Sequence, residues 1–513
     1  MNYWVLRRSR RSDSFQKREH VRFEMSCGYL LRLLRSWWQV ELDFFDRKTP
    51  LYDSCKPVAC LAASLLVSMV LVTTGCGGIS SSAKSVAAPP GNYPIPNPGL
   101  TGSFFGINTN SLDDPWPGTI IPLASWRSHD SNLKWADLNT GPGVYDFSKL
   151  DQWLSNAKAT NTDVLYTMYA TPPWISSRGV NSSSPDTSCA YATQIGPGIC
   201  DPPVDLSCDG TGTNQTFKDF VTALIQHVGP GAIQYWEMWN EPNASIHWNA
   251  TADCPNTPFA ADLMLARMAR DMKAIVSATD AKAKFTTPPL GDDGQWLAHY
   301  FANTDGAQSE DIVAFHGYPS SNTCPGDCAE QIADQINQLK SRLPASELGK
   351  PLFDTEGNWG YVNKVNALTD PDHQASFVMR YYLIQMSKGV AKFYWYTWDI
   401  STLGALYDTS TASLTPAGNA YVQVVRWTNG GTATVGPCSA NGTVWTCTLN
   451  SPRGAQAEAI WDSSQTCSGG VCSTTDLSVP SQFNAYLDLS GNTTNLSGSS
   501  VPVGLKPVLL ITQ

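Results

Sequence analysis

Short apolar runs alternate with longer amphipathic stretches from residue 101 to about residue 428. Eight runs have the β-branched and aromatic content of strands; they are 104–108, 124–127, 163–169, 232–239, 284–287, 312–316, 352–355 and 391–397. Helical periodicity marks most of the intervals between them, namely 147–160, 215–228, 258–278, 328–342, 370–388 and 416–428. This alternation predicts an α/β fold, a (β/α)8 TIM barrel over residues 101–428. A doubly wound sheet is the alternative, but it would require a glycine-rich phosphate turn after an early strand, and the sequence has none.

The pattern changes after residue 428. Residues 429–513 are rich in Thr, Ser, Gly, Val and Asn, and strand-like alternation returns at 443–449, 457–461, 485–489 and 507–511. Turn residues recur at short intervals, so this region is predicted to be a small all-β, β-sandwich-like domain. It either packs on the barrel as a scaffold or binds carbohydrate, and its short linker to the last barrel helix favours the scaffold.

The amino-terminal region carries the chain's one long apolar run. This run, 58–72, is too short for a bilayer span but has the length of a signal-peptide core. Cys76 follows it in a pattern that resembles a bacterial lipoprotein signal, in which that cysteine receives the lipid; ordinary secretory cleavage near Cys76 is the alternative. We therefore predict a basic extension and signal peptide over 1–75 and a Ser/Gly/Pro-rich tether over 76–100.

Composition narrows the possible partners. Only 15% of the 513 residues are charged, 11% are aromatic, and the net charge is −10. These values exclude a highly charged disordered chain and argue against a nucleic-acid partner. The prediction is an exported protein of the bacterial cell envelope or the extracellular space, which meets the membrane only through a lipid on Cys76.

Cysteine usage agrees with export. Ten cysteines follow Cys76, an even number, and most lie in Gly/Pro/Ser-rich loops, as disulfides of an oxidising compartment do. Cys324/Cys328, Cys438/Cys447 and Cys467/Cys472 are plausible pairs, which leaves four cysteines in the 189–254 region. A zinc site at Cys324 and Cys328 is the alternative, although the sequence offers no second cysteine pair with a nearby histidine to complete the ligand set.

The fourth predicted strand runs directly into Asn240-Glu241-Pro242. Barrel active sites collect at the carboxyl ends of strands, so Glu241 is predicted to lie at the barrel mouth. Strict alternation places Glu241 and Asn240 on opposite faces, and the strand end must bulge or turn if both face a ligand. Glu237 is predicted to be an internal salt-bridge anchor. The alternative is a helix start capped by Asn240.

A second carboxylate ends the seventh predicted strand. Residues 350–357 form an apolar strand that closes in Asp-Thr-Glu356-Gly, roughly opposite the fourth strand of an eight-stranded barrel. Two carboxyl groups about 5–5.5 Å apart serve a retaining glycosidase as nucleophile and acid/base. Glu241 and Glu356 are therefore the predicted catalytic residues.

These two segments resemble those of clan A retaining glycoside hydrolases. Trp126-Arg127, Thr171-Pro172-Pro173-Trp174 and His316-Gly317-Tyr318 are similar to features of family 39 in that clan. The resemblance implies that Glu241 is the acid/base and Glu356 the nucleophile. It also implies substrate-binding or orienting roles for a further set of residues: Asn240 at the sugar 2-hydroxyl, Arg127 and Tyr318 at the nucleophile, His316 in the same subsite, and Trp395 or Trp398 as an aromatic floor. Trp174 is a further candidate for stacking on a sugar.

The sequence thus predicts an exported retaining glycoside hydrolase that cleaves β-glycosidic bonds of an oligo- or polysaccharide. It is expected to act as a monomer, without a metal or other cofactor. A non-catalytic carbohydrate-binding surface protein is the first alternative, although it would have little reason to keep both glutamates. A transglycosylase on the same scaffold is the second, because it shares the covalent intermediate.

Overall fold

The structure is a computed structural model that describes residues 103–291, 294–319, 327–362, 365–450 and 456–513. The predicted signal peptide, Cys76 and the tether over 76–100 lie outside the described residues, as does Cys324. None of the helices in the described part is both long enough and apolar enough to cross a bilayer.

Eight parallel strands form the barrel, and each corresponds to one predicted from the sequence. They are β1 (Phe105–Asn108), β2 (Ser125–Arg127), β3 (Asp163–Met168), β4 (Tyr235–Met238), β5 (Lys284–Thr286), β6 (Val313–Gly317), β7 (Leu352–Gly357) and β8 (Val390–Trp395). Their order in the sheet is β5-β4-β3-β2-β1-β8-β7-β6. A parallel bridge between Thr286 and Ile312 joins the two ends, supported by a 2.9 Å hydrogen bond from the Thr287 amide to the Ile312 carbonyl. The predicted barrel is confirmed.

Helices of nine or more residues follow seven of the eight strands in the described part of the chain. They are α1 (Ser148–Ala159), α2 (Gln215–Val228), α3 (Ala260–Thr279), α4 (Gln295–Asn303), α5 (Ile332–Arg342), α6 (Pro371–Ser387) and α7 (Pro416–Trp427). The connection from β1 to β2 contains instead a 3-10 turn, Pro117–Thr119. In α2 the buried residues Phe217, Phe220, Val221, Leu224 and Ile225 form one stripe with helical spacing, which is why this segment could be recognised from the sequence.

The barrel interior is filled by side chains. Leu165, Ile312, Phe353 and Tyr394 form a separate buried cluster, against which Tyr235 packs. A filled interior leaves the strand ends as the place where a ligand can bind, as in other barrels of this type.

An antiparallel β region follows α7, as predicted. Its six-stranded sheet has the order β9-β10-β11-β14-β12-β13, with β9 (Thr434–Asn441), β10 (Val444–Asn450), β11 (Gln456–Asp462), β12 (Ala485–Leu487), β13 (Thr493–Asn495) and β14 (Val508–Ile511). Thr474–Ser478 and Ser500–Gly504 form a separate antiparallel pair.

The β region packs directly against the barrel. Trp461 on β11 is fully buried in the same apolar core as the barrel helices, and its indole Nε1 donates a 2.8 Å hydrogen bond to Glu330. Ser376 on α6 donates to the Leu505 carbonyl at 2.7 Å, and His373 accepts from the Cys467 amide at 2.9 Å. These contacts support the scaffold interpretation.

Four disulfides lie within the described residues. The predicted Cys438–Cys447 and Cys467–Cys472 pairs are confirmed. The four cysteines of the 189–254 region pair as Cys189–Cys200 and Cys208–Cys254. Cys189–Cys200 therefore lies within the connection from β3 to α2, and Cys208–Cys254 joins that connection to the one from β4 to α3.

Candidate active site

A cavity of about 520 Å³ opens at the carboxyl ends of the barrel strands. Its lining residues come from the ends of strands β2, β3, β4, β6, β7 and β8 or from the loops that follow them; they are His129, Asp130, Tyr191, Asn240, Glu241, His247, Tyr318, Glu356, Gly360, Tyr396 and Leu403. Asn240, Glu241, Tyr318 and Glu356, four of the residues singled out in the sequence, therefore line one cavity.

The end of β4 turns so that Asn240 and Glu241 both reach this cavity. Trp239 and Glu241 adopt left-handed backbone conformations, with φ of 69° and 43°. Such conformations are uncommon outside glycine and cost about 1–3 kcal/mol each, and they cluster at functional sites. They break the strand alternation that would otherwise place the two side chains on opposite faces.

Glu237, on β4 and before this strand end, is fully buried. Its Oε1 accepts hydrogen bonds from Arg127 Nε at 2.7 Å and from Thr167 Oγ1 at 2.8 Å. Glu237 thus forms the internal ion pair predicted for it and does not line the cavity.

A bulge at Thr355 directs Glu356 into the barrel mouth. Phe315 and His316 are consecutive on β6, but they pair with Asp354 and Glu356 on β7. Because Thr355 is the extra residue, Asp354 and Glu356 face in different directions despite their spacing of two. Asp354 accepts from Gln385 and Tyr381 on α6 at 2.7 and 3.1 Å, whereas Glu356 lines the cavity.

Arg127 at the end of β2 connects the two glutamate-bearing strands. Its Nη1 donates to Glu356 at 2.8 Å and its Nη2 to Asn240 at 2.8 Å. Burial by itself would lower the pKa of Arg127, but the charges of Glu237 and Glu356 raise it above its usual value. A permanent cation therefore lies beside Glu356.

Glu356 is held from two sides. Tyr318 donates a hydrogen bond from its hydroxyl to Glu356 Oε1 at 2.6 Å, while Arg127 contacts Oε2. Burial raises the pKa of the Glu356 carboxyl, the neighbouring His316 and the Arg127 guanidinium oppose that rise, and Glu241 adds to it.

Glu241 lies across the cavity mouth from Glu356, in a different environment. His316 Nδ1 is 2.8 Å from Glu241 Oε1, and His247 Nε2 is 3.6 Å from its Oε2. Burial raises the pKa of the Glu241 carboxyl and lowers the pKa of His316 to about 4, so this imidazole is neutral at neutral pH. Glu241, His316 and Glu356 each offer a polar atom, and these three atoms all lie within 4.8 Å of one another.

Solved structures with this fold are known. The chain superimposes on a family 39 glycoside hydrolase from Bacteroides cellulosilyticus WH2 with a TM-score of 0.55 at 13% identity, covering 80% of this chain and 81% of that one. A monomeric β-xylosidase from Caulobacter crescentus CB15 gives a TM-score of 0.50 at 16% identity (80% and 95% covered). A conserved exported protein from Bacteroides fragilis gives 0.51 at 14% (80% and 91%).

The chain has the fold of family 39 glycoside hydrolases. No protein-family model matches the sequence, and no curated protein does.

The tryptophans that the family 39 resemblance assigned to a sugar floor do not line the cavity. Trp395 and Trp398 are fully buried, with their indole nitrogens donating to the carbonyls of Gly404 and Pro115. Trp174 is partly buried and donates to the Asn139 carbonyl at 2.9 Å. The residue of this segment that lines the cavity is Tyr396, which strand alternation places on the face opposite Trp395.

Sequence reasoning also missed loop residues of the cavity. Tyr191 and His247 lie in the long connections after β3 and β4, where no periodic pattern predicts direction. Cys189 lies two residues from Tyr191 and pairs with Cys200 in the structure. The presence of these cysteines in the sequence was the available signal that this loop has a fixed conformation.

Two described groups have donor atoms close enough for a metal ion. In the first, Glu241, His316 and Glu356, the guanidinium of Arg127 already contacts Glu356 and places positive charge where a cation would bind. The second combines Asp186 and Asp201 with Cys189 and Cys200, whose sulfurs are joined in a disulfide and so are not thiolate ligands. That no metal or cofactor is required stays a prediction.

Proposed function

We propose that this protein is an exported retaining glycoside hydrolase that cleaves β-glycosidic bonds of an oligo- or polysaccharide. The observation that carries the proposal is the proximity of Glu241 and Glu356, whose carboxylate oxygens approach within 4.8 Å in one cavity. Retaining enzymes hold their two carboxyl groups about 5–5.5 Å apart, whereas inverting enzymes leave about 6.5–9.5 Å for a water molecule.

In the first step Glu356 is the nucleophile. Its carboxylate attacks the anomeric carbon, and the bond from that carbon to the leaving oxygen breaks as Glu241 transfers its proton to that oxygen. Arg127 and Tyr318 hold the Glu356 carboxylate by two hydrogen bonds, which favours its anionic form and fixes its direction of attack.

In the second step water replaces the leaving group. Glu241, now a carboxylate, takes a proton from the water, whose oxygen bonds to the anomeric carbon while the bond to Glu356 breaks. The raised pKa of Glu241 suits it to both steps of the cycle, because it must carry a proton in the first step and accept one in the second.

Asn240 is proposed to bind the sugar hydroxyl next to the cleaved bond. Its Oδ1 is already engaged by Arg127, which leaves the amide NH2 as the group that can donate to a ligand. A hydrogen bond that strengthens as positive charge develops on the sugar ring would stabilise the transition state more than the ground state. His316 contacts Glu241 and is proposed to orient it.

The similar structures support the class of reaction and the compartment. Two of them are named as a family 39 glycoside hydrolase and a monomeric β-xylosidase, and a third as an exported protein. Together with the disulfides, they support export to the envelope or extracellular space. We further propose that the protein is a monomer and that a lipid on Cys76 is its membrane anchor, which rests on the sequence pattern. The proposed reaction uses side chains alone, without a cofactor.

Replacing the nucleophile tests the proposal directly. We expect Glu356→Ala to abolish turnover while leaving oligosaccharide binding nearly intact, because binding depends on the rest of the cavity. Release of reducing ends and calorimetric titration measure the two quantities, with Asp476→Ala, an exposed change in the β region, as the control. Full activity of Glu356→Ala would exclude Glu356 as nucleophile.

Replacing the acid/base gives a second, independent signature. Glu241→Ala should lower the rate by about 10²–10⁴-fold on substrates with poor leaving groups, and much less on activated aryl glycosides, which need no proton to depart. Azide, which can replace water in the second step, should restore the rate on the activated substrates. An equal loss on all substrates without rescue would contradict this role.

A further inference from the structure

In the described part of the chain, the cavity is lined by acidic residues and by no lysine or arginine. Asp130, Glu241 and Glu356 all line it. Its two histidines with lowered pKa values, His129 and His247, owe them first to burial and are neutral at neutral pH.

The guanidinium of Arg127, close to the site, already bonds to other groups of the protein. Arg127 is fully buried and donates to Glu237, Glu356 and Asn240, so it faces protein carboxylates rather than the cavity. Lys134 is also buried, with its Nζ 4.5 Å from the ring centre of Tyr191. Neither of these cations lines the cavity.

Asp130 is the acidic residue that the proposed reaction does not use. Its side chain is only 6% exposed, and its Oδ1 accepts a 2.9 Å hydrogen bond from Tyr191. Oδ2 has no hydrogen-bond partner among the described residues. A carboxylate offers about four acceptor positions, so Asp130 retains capacity that a ligand can fill, and leaving it unfilled in a buried position is costly.

We propose that the sugar bound at the cleavage site is a pyranose without a carboxylate, and that Asp130 accepts hydrogen bonds from its hydroxyl groups. This inference rests on the proposed glycosidase function. The carboxylates of Asp130 and Glu356, held in a partly dehydrated cavity, repel the carboxylate of a uronic acid. The hydroxyl groups of a neutral sugar are the hydrogen-bond donors that Asp130 lacks. Asp130 is thus proposed as a residue that determines substrate specificity.

Matched substrate pairs test the charge preference. We would compare kcat/KM of the full chain for 4-nitrophenyl β-glucoside against β-glucuronide and for β-galactoside against β-galacturonide, since the members of each pair differ only at the sixth carbon. For any pair that is hydrolysed, the neutral sugar should be favoured by at least about 100-fold at low ionic strength. Equal or faster hydrolysis of a uronide would overturn the inference.

A binding measurement separates this inference from the proposed reaction. Piperidine iminosugars that carry either a hydroxymethyl or a carboxylate group at the same ring carbon bind without being hydrolysed. We expect the hydroxymethyl compound to bind at least about tenfold more tightly by calorimetry. Failure to hydrolyse any glycoside would count against the proposed function alone, whereas tighter binding of the carboxylate compound, or binding of neither, would overturn the inference.

Asp130→Asn identifies the residue responsible. Because hydrogen bonds to a charged group are stronger than neutral ones, the variant should lose about 10- to 100-fold in kcat/KM on the neutral sugar. Its preference over the uronide should narrow by about tenfold or more, whereas Asp476→Asn should change neither value. A purely structural role for Asp130 would lower both activities equally, and an unchanged ratio would therefore refute the assignment. The wild-type comparisons above decide the charge preference even if this variant does not fold.

Discussion

The two glutamates are distinguished by their neighbours rather than by their burial. Both carboxyls are buried enough for their pKa values to rise, but only Glu356 receives hydrogen bonds from both Arg127 and Tyr318. Glu241 contacts instead His316, which is neutral at neutral pH because its pKa is lowered to about 4. A proton shared by the pair is therefore favoured on Glu241, which is the distribution that a retaining mechanism needs.

This distribution predicts the pH profile. Burial is the largest cause of the raised pKa of Glu241, so the group stays protonated above the usual range of a glutamic acid. As the pH rises through that pKa, Glu241 loses its proton, and kcat/KM on substrates with poor leaving groups should fall. The measurement is a pH–rate profile, and the basic limb should disappear in Glu241→Ala assayed with an activated substrate and azide. A basic limb that persists unchanged in the variant would assign it to another group.

At the scale of elements, strands could be predicted from the sequence but the direction of side chains at their ends could not. The apolar runs before Glu241 and Glu356 predicted β4 and β7 correctly, because burial on both faces leaves a local signature. The bulge at Thr355 depends on how β7 pairs with β6, which no local pattern records. The family resemblance implied Trp395 or Trp398 as the aromatic floor, whereas Tyr396 is the residue of this segment that lines the cavity.

The loop after β5 closely approaches the proposed acid/base. A Cβ placed on Gly291 would lie 2.8 Å from Glu241 Oε1, closer than two such atoms can approach without a shift. Gly291→Ala should therefore displace the Glu241 carboxyl, and a misplacement of about 1 Å can cost about 10²-fold in rate. The loss should be largest for substrates with poor leaving groups, which depend on Glu241 for a proton.

Gly349→Ala is the matched control for that variant. A Cβ on Gly349 meets nothing within 4 Å, so its activity should be unchanged and its free energy of unfolding should stay within about 0.5 kcal/mol of the original. Thermal unfolding and kcat/KM, measured on both variants, distinguish a displaced acid from a destabilised fold. Equal activity of the two variants would show that the loop after β5 moves aside and the Glu241 carboxyl keeps its position.

At the scale of the whole molecule, composition and cysteine spacing predicted two structural regions but not how they meet. The change of pattern after residue 428 located the β region, and two of its short-range cysteine pairs form as predicted. The contacts that join it to α6 involve isolated residues such as Ser376, His373 and Trp461. Single polar contacts between distant segments leave no periodic signal, so only the folded chain reveals them.

These contacts predict that the barrel depends on the β region. A chain that ends at Asn429 would expose the part of α6 that β9 and β10 now contact, and exposed apolar surface favours aggregation. We expect this chain to be insoluble, or to unfold at a temperature lower by about 10 °C or more.

Trp461→Ala in the full chain is the milder version of the same test. It removes a buried indole and its hydrogen bond to Glu330 and should cost about 3–5 kcal/mol of unfolding free energy. A truncated barrel that is soluble, active and as stable as the full chain would contradict the scaffold interpretation. If residues 430–513 alone then bound an insoluble polysaccharide, the β region would instead be a carbohydrate-binding module, because its stability and its ligand would both be independent of the barrel.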